Sequence, residues 1–135
     1  AEQFADKLDF LSIGSNDLIQ YTLAIDRVDD SVNYLYDPLH PAILRLLRSV
    51  VKASGKAGIP LSICGELAGN SRYTRLLLGL GLRIFSMDDA DSLLEIKKIA
   101  MGTDVAKSRR RVDRMLRASD STALRQQLER LNISV

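Results

Sequence analysis

The chain has 135 residues, and its 19 basic against 17 acidic side chains leave a formal net charge of +2. That length fits one domain with a single core burying about two thirds of the unfolded surface, and the charge is too small to point to nucleic acid by itself. The longest apolar run, Leu76 to Leu80 with its glycine, is far too short to span a bilayer, and AEQFADKLDF at the N-terminus lacks the basic flank and apolar stretch of a signal peptide. One cysteine excludes an internal disulfide and fits a reducing, cytoplasmic compartment.

The chain begins without Met and in mid-helix pattern, Phe4 and Leu8 being spaced i, i+4 as in the tail of an amphipathic helix, so a longer parent protein is expected. FLSI at 10 to 13 reads as the first strand. A long loop is expected after it, with Tyr21, Tyr34 and Tyr36 packing inside. From Pro41 to Lys56 the apolar residues Ile43, Leu44, Leu47, Val50 and Val51 share one helical face, with Pro41 at the start and Gly58 just past the end. PLSIC at 60 to 64 is the second strand, and a helix from about Ser71 to Leu80 follows, capped by Asn70 and stopped by Gly81. LRIFSM at 82 to 87 is the third strand, leading to a helix from about Asp89 to Met101 that ends at Gly102. The remainder reads as two helices divided near ASDST, with Ser119 or Asp120 as the second N-cap.

Strands joined through helices imply parallel pairing and an α/β architecture. Three strands make a poor sheet alone, because both edges stay open and apolar strands need helices on each face. More strands before Ala1, or self-association, are expected, and the pattern favours a partial barrel.

In parallel α/β folds ligands meet the carboxyl ends of the strands. That rule selects GSND after the first strand, CGELAGN after the second and SMDDADS after the third. Gly14 permits a sharp turn, Ser15 and Asn16 offer hydrogen bonds, and Asp17 offers a hard oxygen suited to Mg²⁺, though Asp is equally a favoured helix cap. Cys64 has two readings as well: a small buried hydrophobe, or a thiol at a pocket mouth able to exchange a proton. Glu66 either polarises that thiol or is a solvated charge. Arg45, Arg48, Lys52 and Lys56 fall near one helical face, and KSRRRVDRMLR at 107 to 117 holds six basic residues against one acid. Without interleaved aromatics these read as solvated faces rather than nucleic-acid surfaces.

Three stretches in order, DFLSIGSNDLIQYTLAIDR at 9 to 27, LYDPLHPAIL at 35 to 44 and GIPLSICGELAGN at 58 to 70, resemble the C-terminal phosphoenolpyruvate-binding domain of enzyme I. That family is the phosphoenolpyruvate-protein phosphotransferase of the bacterial sugar phosphotransferase system. The resemblance is close over residues 1 to about 101 and loose beyond. It implies a (β/α)₈ TIM barrel, of which residues 1–101 supply about the last three strand-helix units and 102–135 a C-terminal helical extension. It also implies Mg²⁺ as cofactor with Asp17 as a ligand, Asn16 and Arg27 on the phosphate of phosphoenolpyruvate, and Cys64 as the acid that protonates the enolate carbon as pyruvate forms.

These residue types suit the chemistry. Phosphoryl transfer is catalysed mainly by positioning and charge neutralisation, and an ordinary thiol holds a proton at neutral pH. The implied acceptor is a histidine on a separate N-terminal domain, which passes the phosphate to a histidine-containing phosphocarrier protein, so His40 is read only as a loop or pre-helix contact. The family resemblance further implies a homodimer, with no membrane and no nucleic acid among the partners. Two alternatives accompany the reading: the nitrogen-regulatory paralogue of enzyme I, and a non-catalytic dimerisation module for the isolated chain.

Overall fold

The computed structural model describes residues 1–26 and 28–133. After a single helical turn, α1 (Glu2–Ala5), come β1 (Leu11–Gly14), α2 (Ser15–Leu23) and α3 (Pro41–Ala57). Then follow β2 (Leu61–Cys64), α4 (Glu66–Gly69), α5 (Thr74–Leu80), β3 (Ile84–Phe85), α6 (Ala90–Met101), α7 (Val105–Met115) and α8 (Ser121–Ile133). The three strands form one parallel sheet in the order β1-β2-β3. Leu11 to Gly14 align with Leu61 to Cys64 residue for residue, and Ser62 and Ile63 pair with Ile84 and Phe85.

The first part of the long loop expected after the first strand is instead a helix, α2, which starts directly at the strand's end. Leu18, Ile19 and Leu23 give this helix an apolar face packed against the core, a period of 3.6 present in the sequence. The tyrosines consequently do not pack as a group. Tyr21 lies on α2 and is 85% exposed, Tyr34 is 77% exposed, and only Tyr36 packs against the core. The helix ends with Ala24 at φ 53°, the one non-glycine in the left-handed region among the described residues, its N–H donating to the Gln20 carbonyl.

The first strand begins at Leu11 rather than Phe10, which is 67% exposed. The third is two residues long, because Leu82 drops into the core and the Arg83 guanidinium turns back to the carbonyls of Leu78 (2.8 Å) and Leu82 (2.7 Å). Successive strand residues face opposite sides. Ile13 and Ile63 enter the core, while Ser12, Gly14, Ser62, Cys64 and Ile84 share the other face and are exposed or half-buried. Burial on both faces, expected from the apolar runs, is therefore not what is found: the serine hydroxyls of Ser12 and Ser62 occupy the second face and bond each other at 2.9 Å.

Helix α3 buries Ile43, Leu44, Leu47 and Ala53, each large aliphatic contributing about 1.5–3 kcal/mol of transfer free energy. His40 caps it, its Nδ1 accepting the Ala42 N–H at 3.2 Å. Helix α5, TRLLLGL, has no polar face and is buried from Leu76 to Leu80, as expected of a helix enclosed by others. The chain reaches it through α4 and a 3₁₀ turn, Ser71–Tyr73, capped by Asn70, whose Oδ1 accepts the Arg72 N–H at 3.1 Å. Val112 and Met115 on α7, and Leu124, Leu128 and Leu131 on α8, join the same core. Approach of α5 to α7 is close enough that a Cβ on Gly79 would lie 2.6 Å from Val112 Cγ2 and 3.0 Å from the Ser108 carbonyl oxygen. Asp89, Asp104 and Asp120 cap the last three helices through their carboxylates. No helix among the described residues is long and apolar enough to cross a membrane.

Candidate strand-end site

Gly14 and Cys64 are register partners at the carboxyl ends of adjacent parallel strands, and the two turns that follow are joined by side chains. Asn16 Oδ1 accepts the Glu66 N–H at 3.0 Å, and the fully buried Ser15 Oγ accepts the Leu67 N–H at 3.4 Å. Those N–H groups belong to the first turn of α4, which has no intrahelical partner for them. Gly65 makes the approach possible. It lies at φ 89°, ψ −169°, a region essentially restricted to glycine, and a Cβ there would come within 2.5 Å of Ser15 Oγ and 3.0 Å of Asn16 Oδ1.

Asp17 is the acidic residue of the first turn of α2, where a carboxylate is favoured by the helix dipole. It does not serve as the cap: Gly14 holds that position with no side-chain cap bond. The exposed Asp17 carboxylate leans over Gly14, its Oδ2 lying 3.7 Å from where a Cβ would be. Cys64 is half-buried on the sheet face of Ser12 and Ser62, away from Ile63 and the core. Asn16 and Asp17, in the first turn after β1, and Cys64, at the end of β2, thus lie at the carboxyl ends of adjacent strands, whereas Arg27 lies outside the described residues. Glu66 is exposed at the start of α4.

Beside these strand ends, the edge of β1 opens on a groove of about 450 Å³ whose walls include Phe4, Leu8, Leu18 and Tyr21, with Ser12 and Asp17 at its border. Tyr73 follows α4, and burial holds its phenol above the ordinary tyrosine range, opposed first by Arg72 and supported by Asp37. Ser12 and Ser62 escaped the reading of the sequence as site residues. A signal for both was present, since LSIG and LSIC set a serine at the same place in two strands.

Among the described residues no three His, Cys, Asp or Glu side chains gather as a metal cage. The single Asp17 carboxylate still fits Mg²⁺, which is commonly held by one or two carboxylates together with substrate phosphates and water. After the third strand, Asp89 is engaged as the α6 cap, its carboxylate accepting the Asp91 and Ser92 N–H groups.

A small parallel sheet followed by helices, with polar side chains at the strand ends, defines an α/β domain. Residues 1–105 match the family described as PEP-utilising enzyme, PEP-binding domain, and the chain belongs to that family. Among curated relatives, the phosphoenolpyruvate-protein phosphotransferase of Cupriavidus necator is 50% identical over 127 residues, covering 91% of this chain and 22% of the relative. That of Enterococcus faecalis is 44% identical over 121 residues, 90% of this chain and 21% of the relative, and that of Latilactobacillus sakei 51% identical over 104 residues, 77% and 18%. The chain therefore spans about a fifth of the length of these relatives.

Proposed function

We propose that the rim formed by Asn16, Asp17 and Cys64 is part of a phosphoenolpyruvate site, and that the protein is a cytoplasmic phosphoenolpyruvate-protein phosphotransferase of the sugar phosphotransferase system. The observation that carries this reading is the link between the two strand-end turns, Asn16 Oδ1 to Glu66 N–H and Ser15 Oγ to Leu67 N–H. It brings a carboxylate, an amide and a thiol from segments about fifty residues apart to one edge of the sheet. The names of the relatives support the same substrate.

Each residue has a role set by its surroundings. With Oδ1 engaged by Glu66, the Asn16 amide has its Nδ2 hydrogens to donate to a phosphate oxygen, and Arg27 would clamp the same phosphate. Asp17 would hold Mg²⁺, which supplies neutralisation of phosphate and enolate charge when bound. When the phosphoryl group leaves for a histidine on the N-terminal domain of a longer parent, the electron pair of the broken P–O bond stays on the enolate. The enolate carbon then takes the proton of the Cys64 thiol, forming pyruvate, and solvent reprotonates the sulfur. The phosphohistidine passes its phosphate to a histidine-containing phosphocarrier protein.

The open edge of β1 and the exposed Phe4, Phe10 and Tyr21 support a larger fold. We read the sheet as the last three strands of a (β/α)₈ barrel, residues 1–101, with 102–135 as a helical extension. Those same surfaces favour a second reading for the isolated chain, a non-catalytic module that assembles as a homodimer.

Substituting Cys64→Ala in the full-length protein tests the chemistry. Phosphoenolpyruvate binding is expected to persist while pyruvate formation falls about 10²–10⁴-fold, the usual worth of a positioned proton donor. Pyruvate formation at the parental rate would remove Cys64 from the reaction.

A further inference from the structure

Lys107, Arg111 and Arg114 stand four and three residues apart on α7, a spacing that aligns side chains on one helical face. Arg111, Arg114, Met115, Gln127, Arg130 and Leu131 line a cleft of about 480 Å³ between α7 and α8. A smaller chamber of about 90 Å³ has Arg75, Thr103, Asp104, Lys107, Arg111 and Leu131 among its walls. Arg111 and Leu131 belong to both, so the two spaces adjoin.

Five cationic side chains and one carboxylate border this volume. The carboxylate, Asp104, already accepts the Lys107 N–H at 2.9 Å as the α7 cap. Four basic side chains elsewhere among the described residues are paired: Arg48 with Asp113, Arg72 with Glu129, Arg125 with Asp37 and Lys56 with Glu2. Among the described residues, the side chains of Arg75, Lys107 and Arg114 have no such partner. Arg111 donates once, to the Arg130 carbonyl at 3.2 Å, which uses one of the five N–H groups of a guanidinium.

Gathering like charges around a cleft floored by the buried Met115 and Leu131 creates repulsion that a bound anion would offset. Guanidinium groups recognise phosphate oxygens in bidentate fashion. The volume of the larger cleft, which is open to solvent on one side, falls in the range of small-molecule sites, about 300–1,000 Å³. A nucleic-acid strand is the poorer fit, because α7 and α8 contain no aromatic residue on which a base could stack. We propose that the cleft between α7 and α8 binds a small anion carrying two or more phosphate groups, with room for an organic substituent above Met115 and Leu131. This site shares no residue with the strand-end rim and does not depend on the function proposed for it.

Calorimetric titration of the full-length protein with pyrophosphate, at low salt and without Mg²⁺, tests the assignment. Binding is expected to weaken at least about 10-fold in a Lys107→Gln, Arg114→Gln double variant, each lost charge-assisted contact contributing to that change, and to persist in Asn16→Ala. Both exchanged residues lie outside the core, and a parental circular-dichroism melting profile would show that the fold is intact. An Arg114→Glu variant should weaken binding further than Arg114→Gln. Unchanged affinity in the double variant would overturn the proposal, as would loss of binding in Asn16→Ala alone or no binding to the parental protein. Tenfold tighter binding of a single-stranded oligonucleotide that displaces pyrophosphate would overturn it in favour of a nucleic-acid surface.

Discussion

Gly65→Ala is expected to separate the two strand-end turns. The new methyl group would lie 2.5 Å from Ser15 Oγ and 3.0 Å from Asn16 Oδ1, so one turn must retreat. Holding alanine at φ 89°, ψ −169° costs about 1–3 kcal/mol, and forcing atoms into a packed region adds about 1–3 kcal/mol. A loss of about 3 kcal/mol follows even if part of the clash relaxes. With a urea slope of about 2 kcal/mol/M, the unfolding midpoint of the 135-residue chain should fall by about 1.5 M.

A double-mutant cycle isolates the cause. Ser15→Ala removes the oxygen that the methyl group strikes, so Gly65→Ala should cost about 1 kcal/mol less in that background than in the parental one. Coupling of that size is expected for residues in contact, whereas independent sites add to within about 0.5 kcal/mol. Additive effects, or an unchanged midpoint for Gly65→Ala, would refute the close-approach argument. Amide shifts of Glu66 and Leu67 should also move, because both N–H groups lose acceptors held by α2.

Three further tests address other parts of the molecule. Ala24→Gly relieves the left-handed backbone at the end of α2 and should stabilise the chain by about 1 kcal/mol; a lower unfolding midpoint would contradict this. Arg48→Met removes bonds to the Leu80 carbonyl (2.8 Å) and Asp113 (2.7 Å) from a side chain only 15% exposed, so a loss of about 2 kcal/mol is expected, and a neutral result would mean that packing by methionine compensates. Asp89 is held below its ordinary carboxylate value of 3.8, first by the Ser92 hydroxyl and then by the Ser92 and Asp91 N–H groups. A lowered folded-state pKa makes this stabilisation complete above the unfolded value and lost as pH falls through the folded one, so the Ser92 amide should titrate with a midpoint below 3.8, and a midpoint above it would contradict the cap.

Local pattern carried much of the architecture. Ile43, Leu44 and Leu47 announced the buried face of α3, because burial demands matching periodicity whatever the partner, and the helix ending at Leu80 was legible too, though not that it would be enclosed. Asp89 and Asp120 marked helix starts through the chemistry of a carboxylate near unpaired N–H groups. Similarity to a phosphoenolpyruvate-binding family was equally legible, residing in contiguous motifs that include Asn16, Asp17 and Cys64.

Tertiary structure decided what depends on residues far apart in the chain. Whether Asp17 caps a helix or stands open at its first turn followed from where β1 ends and α2 begins, a boundary set by pairing with β2. Joining of Ser15 and Asn16 to Leu67 and Glu66 spans about fifty residues, and nothing local to either turn specifies it. Of the basic residues, Arg48 found a carboxylate across 65 positions, while among the described residues Arg75, Lys107 and Arg114 line two adjoining spaces with no ion-pair partner. Composition counts such charges alike; only packing of α5, α7 and α8 determines which of them meet a partner, because an ion pair acts over a few ångströms in space rather than along the chain.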